Sequence, residues 1–341
     1  MNAVPATIRK LTCMLIFPVV LVWALTGSAA AQNVLATVPI ATASVGQVAF
    51  NTALDKIYTG GGPQAGSSLT VIDGTTFSVI TTISGSAGVS ADLKNDNFWT
   101  GTGTAGNVVT YSSSDAQLQS VAVGSCPAAV TFDCRRRSMW VASQCGSGND
   151  PVWLFNADSL AEVGTAVPTG GTISPAPVVS PFPFGRLYVT SGGVSKEIDP
   201  KTFAVTNTPF GGTVLAIDSY TNKLITLSGT NLQIVNSKTE AVTKTIALKY
   251  TPAGVGVNNA MGHVYVTNAA GNSIDVYNET GTKFATFTLS SGNQPNGVAV
   301  DSVRGRLFVD VFNTGTSSWS LYVIEDLSTA RRCGAAGSCD Y

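Results

Sequence analysis

The chain is poor in the residues that most catalytic sites need. It has one histidine, and only 11% of its 341 residues are Asp, Glu, Lys or Arg. A Ser-His-Asp triad or a metal site made of several histidines would depend on His263 alone, so both are nearly excluded. Long helical patterns are absent, and no basic cluster exceeds the three arginines at 135–137. Without a larger basic footprint, a nucleic-acid partner is not expected.

The first 31 residues have the pattern of a secretory signal peptide. Arg9 and Lys10 precede an apolar run over residues 11–25, and small alanines at 29–31 precede the predicted cleavage site. The alternative is a membrane anchor, but the run is shorter than the ~20 apolar residues that span a bilayer. We therefore predict cleavage near Ala31 and a secreted or periplasmic protein.

The predicted mature chain begins near residue 32 and carries few unbalanced charges. Removing Arg9 and Lys10 from the 19 Lys and Arg leaves 17, against 20 Asp and Glu, so its net charge is −3. No later stretch is long and apolar enough to span a membrane. Gly, Thr, Ser, Val and Asn are abundant, which favours β-strands joined by tight turns.

A unit of 38 to 47 residues recurs seven times, each with a short apolar strand, a turn and a second apolar strand. The residue that begins the turn has a short polar side chain that can bond the backbone two residues on. These residues are Asn51, Asp92, Asp133, Ser180, Asp218, Asn258 and Asp301. The second strand carries a large apolar residue at a fixed offset: Tyr58, Trp99, Trp140, Tyr188, Ile225, Tyr265 and Phe308.

Each unit continues with two further strands, joined by a hairpin turn. The polar residues that begin this turn are Asp73, Asn156, Asp199, Asn236 and Asn278. Four strands at this period predict an all-β fold, a seven-bladed β-propeller of four-stranded antiparallel blades. An open two-sheet sandwich is the alternative.

The last unit lacks its fourth strand, and a spare strand lies at the other end of the chain. We predict that residues 33–41 pair beside residues 320–325 and close the ring. The predicted domains are therefore a signal peptide over 1–31, one propeller over 32–331 and a tail over 332–341.

The second strands carry a sequence motif as well as a spacing. Residues 265–268 are YVTN and residues 187–191 are LYVTS, whereas the same position is degenerate in other units. The chain resembles the YVTN-repeat β-propellers, secreted or periplasmic bacterial proteins that are similar to surface-layer and lactonase-like propellers. The resemblance implies a fold and an exported location, and no shared catalytic residue accompanies it.

Five cysteines remain after the predicted cleavage, and export permits disulfides. Antiparallel pairing of the first two strands of the third unit places Cys126 opposite Cys145. Cys333 and Cys339 enclose a short tail loop. We predict these two bridges, with Cys134 in the turn left reduced. A metal site or a reactive thiol is the alternative, but the cysteine spacings match no common zinc pattern.

The single histidine and the acids do not assemble a catalytic set. His263 occupies a repeat position held elsewhere by Lys56, Asn97, Ser138, Arg186, Lys223 and Arg306, which predicts a solvated turn position without a catalytic role. Most acids begin turns, and only Asp150 and Asp310 reach the predicted mouth of the channel. No metal site and no cofactor are expected from this distribution.

The predicted binding site is the channel mouth, where the loops that enter first strands and leave second strands converge. Its residues are three neutral amides, one acid and one aromatic residue that can be exposed: Asn268, Gln294, Asn296, Asp310 and Trp319. Trp99, Trp140 and Trp153 are assigned to packing between blades. For Trp319, a core role is an equal alternative.

These features favour a monomeric binding or scaffold protein whose partner is an unidentified small molecule, glycan or protein at the channel mouth. The alternatives are a lactonase-like hydrolase and an accessory protein of a periplasmic redox system. The first needs His, Arg and acids clustered at the mouth, and the second rests on fold analogy alone.

Overall fold

In a computed structural model, the structure describes residues 33–40, 45–61, 67–124, 126–144, 148–173 and 186–326. These residues form seven antiparallel sheets arranged as the blades of a ring, with 27 strands and one short 3-10 helix. The predicted all-β, seven-bladed β-propeller is therefore confirmed. The signal peptide over 1–31 and the tail over 332–341, with Cys333 and Cys339, lie outside the described residues, as do Cys145 and Ser180.

Each blade runs from an inner strand at the axis, through a second and a third strand, to an outer strand. The first strand of the chain, β1 (Val34–Ile40), belongs to blade 7. Blade 1 holds β2 (Val45–Asn51), β3 (Lys56–Gly61), β4 (Ser68–Asp73) and β5 (Val79–Ser84). Blade 2 holds β6 (Val89–Asp92), β7 (Asn97–Gly101), the 3-10 helix Gly103–Ala105, β8 (Asn107–Tyr111) and β9 (Gln117–Ala122).

The same order continues around the ring. Blade 3 holds β10 (Pro127–Asp133), β11 (Ser138–Ser143), β12 (Pro151–Asn156) and β13 (Val167–Pro168). Within the described residues, blade 4 holds three strands: β14 (Leu187–Ser191), β15 (Val194–Ile198) and β16 (Val205–Asn207). Blade 5 holds β17 (Thr213–Asp218), β18 (Lys223–Ser228), β19 (Asn231–Asn236) and β20 (Val242–Ala247).

The last two blades complete the ring. Blade 6 holds β21 (Val255–Asn258), β22 (His263–Asn268), β23 (Ser273–Asn278) and β24 (Lys283–Thr288). Blade 7 holds β25 (Asn293–Asp301), β26 (Arg306–Asn313) and β27 (Ser318–Glu325), with β1 as its outer strand. Among the described residues, no helix has the length and apolar character to cross a membrane.

The ring is closed by strand β1. It pairs antiparallel with β27, from Val34 opposite Ile324 to Ile40 opposite Trp319. This confirms the predicted pairing of the N-terminal strand with the last blade. Without β1, the edge of β27 would be open and ready to pair with another chain.

The hydrophobic core is divided among the gaps between blades. Seven clusters of buried side chains each fill the gap between two neighbouring blades, the last between blades 7 and 1. The large residue of every second strand is at most 1% exposed: Tyr58, Trp99, Trp140, Tyr188, Ile225, Tyr265 and Phe308. Burying each one stabilises the fold by about 1.5–3 kcal/mol.

The predicted turn residues act as expected. The Asn51 side-chain oxygen accepts the backbone N–H groups of Ala53 and Leu54 at 2.9 and 3.0 Å. In the inner–second turns of other blades, a side-chain oxygen accepts a backbone N–H group in the same way. The accepting residues are Asp92, Asp133, Asp218, Asn258 and Asp301. The third–outer turns repeat it with Asp73, Asn156, Asp199, Asn236 and Asn278. A short side chain that bonds nearby backbone N–H groups fixes these turns.

Candidate functional site

Strand alternation divides the loops between two faces of the ring. The mouth face holds the loops that lead into inner strands and those that join second to third strands. The lower face holds the inner–second turns and the third–outer turns. Within the described mouth loops, the charged residues are Lys249 and the buried Asp150. The mouth face is therefore almost uncharged, whereas the acids and bases concentrate on the lower face.

The five predicted binding residues lie in two neighbouring blades. Asn268 ends the second strand of blade 6, and the other four lie on three adjacent strands of blade 7. Gln294 and Asn296 are on β25, Asp310 is on β26 and Trp319 is on β27. The structure thus gathers them on one side of the ring.

Two of these residues also hold the local backbone. The Asn268 side-chain oxygen accepts the Gly271 N–H at 2.9 Å, which fixes its own loop. The Asn296 Nδ2 donates to the Gln294 carbonyl at 3.2 Å. The Asn296 carbonyl accepts the Thr267 hydroxyl at 2.7 Å and so ties blade 7 to blade 6.

Asp310 lies beneath the mouth surface, in the seam between blades 7 and 1. Its side chain is fully buried, and the Thr59 hydroxyl of blade 1 donates to its Oδ1 at 3.0 Å. Its Oδ2 has no hydrogen-bond partner in the described part of the chain. Burial raises the pKa of the Asp310 carboxyl well above its ordinary value, and the Thr59 hydrogen bond opposes that rise only in part. A side chain sealed in this way contributes to the seam and cannot touch a ligand at the surface.

Trp319 belongs to an aromatic pair with Phe312, and the sequence analysis identifies only Trp319. Its ring centroid is 5.1 Å from that of Phe312, with 47° between the ring planes, and both side chains are partly exposed. Trp319 also packs against the cluster between blades 7 and 1. Phe312 was missed, although the period of two along β26 from Phe308 places it on the same face.

The other three tryptophans that the structure describes are structural, as predicted. Trp99, Trp140 and Trp153 are at most 3% exposed and lie in the clusters between blades. Each is surrounded by side chains from a neighbouring blade. None of the three is available to a ligand at the mouth.

The prediction that His263 occupies a solvated turn position is wrong. Its side chain is only 12% exposed, and its Nδ1 lies 3.4 Å from the Asp326 carboxylate of blade 7. The Tyr265 hydroxyl donates to the same carboxylate and lies 3.3 Å from the His263 Nδ1. Equivalent side chains in other blades reach the next blade too, in the pairs Lys56–Asp115, Arg186–Glu240 and Lys223–Glu279. Spacing within one repeat could not reveal this, because the partner belongs to the next repeat.

The two buried acids on the mouth side do not form a pair. Asp150 is in blade 3, and its Oδ2 accepts the Ile173 N–H at 3.1 Å. Asp310 is in the seam between blades 7 and 1, across the ring. Paired carboxylates for acid–base work must flank one substrate bond. Among the described residues, no group of three or more His, Cys, Asp or Glu side chains lies close enough to hold a metal ion.

Both cysteines that the structure describes are in disulfides. Cys126 and Cys134 are both disulfide-bonded, so the prediction of a reduced Cys134 is wrong. They flank β10 at its opposite ends, about 26 Å apart at 3.3 Å per residue. A disulfide requires Cα atoms within about 7 Å, so these two cannot bond each other. The predicted Cys126–Cys145 and Cys333–Cys339 pairings each involve cysteines outside the described residues and stay predictions.

Comparison with known proteins supports the fold, and it supports neither a family nor a function. No family model and no curated protein matches the chain. The β-propeller domain of Cps50 (Swd1) from Myceliophteria thermophila is 11% identical, with a TM-score of 0.68 over 87% of this chain and all of that domain. A chain of the mitotic checkpoint complex is 14% identical, with a TM-score of 0.67 over 93% of this chain and all of its own length. Identities this low establish the propeller fold alone, and the resemblance to YVTN-repeat proteins finds no support from a family model.

Proposed function

We propose that this protein is an extracytoplasmic propeller that binds an uncharged partner at its mouth face and performs no catalysis. The observation that carries the proposal is the separation of charge. The mouth loops offer amides and hydroxyls, whereas the lower face carries ion pairs between acids and bases, among them Lys56–Asp115, Arg137–Asp92 and Lys223–Glu279. Concave surfaces with a few hydrogen-bonding groups are the usual ligand sites of proteins.

The non-catalytic part of the proposal is supported by the placement of the acids. Asp150 and Asp310 are both fully buried and belong to different sides of the ring. A lactonase-like reaction would need acids, a histidine or a metal to converge on one substrate. His263, the only histidine, is on the lower face and is bonded to Asp326. A propeller of similar fold belongs to the mitotic checkpoint complex, which fits a role in binding.

The extracytoplasmic location is supported by two separate features. Residues 1–31 have the pattern of a signal peptide, with Arg9 and Lys10 before an apolar run. Cys126 and Cys134 are disulfide-bonded, which is usual in oxidising compartments. N-terminal sequencing of the exported protein is expected to begin at Gln32. A protein retained in the cytoplasm with residue 1 intact would contradict the location.

The test of binding is a thermal-shift screen of neutral saccharides, lactones, peptides and metal salts. A true ligand raises the melting temperature as its concentration increases. That shift is expected to shrink in Asn296→Ala and in Trp319→Ala, and to persist in the lower-face control His263→Ala. A ligand whose shift disappears only in His263→Ala would place the site on the opposite face and overturn the proposal. Hydrolysis of any lactone above the buffer rate would overturn the non-catalytic part.

A further inference from the structure

We propose that the mouth end of blade 7 is a carbohydrate-binding platform, in which Phe312 and Trp319 stack on a neutral sugar and Gln294 bonds its hydroxyls. This inference rests on the proposed function, since it names the ligand class for the same mouth. It takes its support from the register of the strands, from a departure of blade 7 from the other blades, and from unpaired polar groups.

The register places three side chains in one row. Gln294 on β25 is opposite Phe312 on β26, and Phe312 is opposite Trp319 on β27. Directly opposite residues on antiparallel strands point to the same face of a sheet. With strands about 4.8 Å apart, the row spans about 10 Å. That width suits a short saccharide lying across the strands.

Blade 7 departs from the repeat at this end of its strands. β26 and β27 have 8 residues each, whereas the second and third strands of other blades have 5 or 6. β26 begins at Arg306, the repeat equivalent of Lys56 and His263, so the extra length is at the mouth end. The residues at the position of Phe312 in other blades are small or polar: Gly103, Gln144, Gly192, Gly229 and Ala269.

These five blades therefore have no aromatic pair at the position of Phe312 and Trp319. Phe312 and Trp319 lie above the rows that fill the seam between blades 7 and 1, where Asp310 is opposite Leu321 and Phe308 is opposite Val323. Their partly exposed rings are available to a ligand, which the buried Trp99 and Trp140 are not.

The polar groups beside the rings are uncharged, and three of them have no hydrogen-bond partner among the described residues. The side-chain amide of Gln294 and the indole N–H of Trp319 make no hydrogen bond to any described residue, and neither does the Asn296 Oδ1. Among the described residues on this face of blade 7, the charged residue nearest the mouth is Asp310, which is sealed one row below. An anionic or cationic ligand would find no exposed counter-charge there.

A neutral sugar matches both halves of this surface. The C–H groups on one side of a sugar ring form an apolar patch that packs on an aromatic face, while its hydroxyls need donors and acceptors. Trp combines an apolar ring with a polar N–H, and Gln supplies both a donor and an acceptor. The row thus offers stacking at its centre and hydrogen bonds at its edge.

The test uses tryptophan fluorescence, because Trp319 is the one partly exposed tryptophan among the described residues. The exported protein is titrated with cellotetraose, maltotetraose, mannotriose and triacetylchitotriose, with calorimetry in parallel. At least one of these sugars is expected to bind saturably and to change the tryptophan emission. Trp319→Phe is expected to abolish the emission change while calorimetry still detects binding, since an aromatic ring remains.

The remaining variants separate stacking from other effects. Trp319→Ala is expected to weaken calorimetric binding about 10-fold, the size of one aromatic contact. Gln294→Ala, which leaves the rings in place, is expected to weaken it about 3- to 10-fold through one lost hydrogen bond. The matched control is Phe284→Ala, because Phe284 is an aromatic residue of the outer strand β24 that is 50% exposed. It is expected to leave binding unchanged.

The outcomes distinguish this inference from the proposed function. If no sugar binds, or if Trp319→Ala binds one as tightly as the wild type, the platform is wrong. A peptide or other ligand from the thermal-shift screen that depends on Asn296 would then leave the mouth proposal standing. Sugar binding that persists in both mouth variants and is lost in His263→Ala would overturn both. If Trp319→Ala melts early, Trp319→Phe and Gln294→Ala decide the question.

Discussion

The two faces of this ring are made from the same repeat and carry opposite chemistry. On the lower face, charged side chains cross from one blade to the next, as Lys56 does to Asp115 at 2.8 Å. On the mouth face, the side-chain amide of Gln294 makes no hydrogen bond to any residue that the structure describes, and the loops are nearly uncharged. The lower turns must fix strand register in every blade, so the fold dictates their chemistry. The mouth loops only have to join strands, so their side chains can be used to bind a ligand.

The faces also differ in how their acids respond to pH. On the lower face, backbone N–H groups lower the pKa of Asp73 and Asp199, and the Arg137 guanidinium lowers the pKa of Asp158 to about 2. On the mouth side, burial raises the pKa of Asp310. Lowering the pH therefore reduces the contribution of the lower-face acids to the free energy of unfolding. It removes the cost of the charged Asp310 carboxylate in the seam under the mouth.

The largest effect is expected from Arg137→Ala. Arg137 bonds both oxygens of Asp92, at 2.5 and 2.7 Å, and Asp92 is completely buried. Removing the arginine leaves a buried carboxylate without its cation, which costs about 3–5 kcal/mol of unfolding free energy. Chemical denaturation at pH 7 measures the loss.

The matched control for Arg137 is Lys94→Ala. Lys94 is 67% exposed and lies 4.0 Å from Asp158, which Arg137 also contacts. An exposed pair of this kind contributes at most about 1 kcal/mol. Equal losses in the two variants would show that the lower face is not held by its buried charge, and the comparison between the faces would fail.

The next effect concerns a single strand that carries one disulfide-bonded cysteine at each face. Cys126 is at the mouth end of β10 and Cys134 is at its lower end. Cys126→Ser and Cys134→Ser are each expected to lower the unfolding free energy by about 2–4 kcal/mol, because two separate bridges are lost. Peptide mapping without reduction is expected to find no Cys126–Cys134 link, and finding one would contradict the register of β10.

The strand architecture was predictable from the sequence because its signals are local. The turn residue after each inner strand and the large residue of the second strand recur at fixed offsets, as at Asp301 and Phe308. The spare strand at residues 33–41 revealed how the ring closes. Each of these features depends on the chain within a single repeat, or on counting the repeats.

Contacts between repeats were not predictable in the same way. Nothing near His263 in sequence indicates that Asp326 of the next blade would approach it. Asp310 lies toward the mouth end of β26, yet its side chain is in the seam, where it accepts a hydrogen bond from Thr59 of blade 1. Spacing gives the position of a residue along a strand, whereas the neighbouring blade decides whether its side chain is sealed or exposed.

The third prediction replaces the buried acid of the mouth side with Asp310→Thr. Thr190 and Thr267 occupy the same repeat position, so threonine fits a second strand there. A carboxyl with a raised folded-state pKa stabilises the fold at pH values below its unfolded pKa, near 4. This contribution is lost as the pH rises toward the folded pKa. The variant is therefore expected to gain about 1–3 kcal/mol at pH 7.

Melting temperatures at pH 4 and pH 7 test this expectation. At pH 4 the variant and the wild type are expected to differ little, because the wild-type carboxyl is protonated there. A variant that is less stable than the wild type at pH 7 would mean that the Asp310 carboxylate is well accommodated in the seam. The mouth side would then tolerate buried charge as the lower face does.

A smaller effect is expected from His263→Ala on the lower face. The change removes the contact with Asp326 and exposes that buried carboxylate, so we expect a loss of about 1 kcal/mol in unfolding free energy. His263→Lys is the matched variant, because lysine holds the same position in the pairs Lys56–Asp115 and Lys223–Glu279. It is expected to retain most of the stability. Unchanged stability in His263→Ala would support the prediction from the sequence that His263 occupies a solvated turn position.

The smallest effect compares one kind of turn on the two faces. On the lower face, the Asn236 side chain accepts the N–H groups of Lys238 and Thr239 at 2.9 and 3.1 Å. On the mouth face, the Asn268 side chain accepts one N–H group from the described residues, that of Gly271. Because a lower turn sets the register of a hairpin, Asn236→Ala is expected to cost about 1 kcal/mol, as a lost cap does in a helix. Asn268→Ala is expected to cost about half as much, since one bond is lost in a loop that only joins strands. Paired denaturation curves measure the difference, and a larger loss for Asn268 would mean that the mouth loops are as structurally constrained as the lower turns.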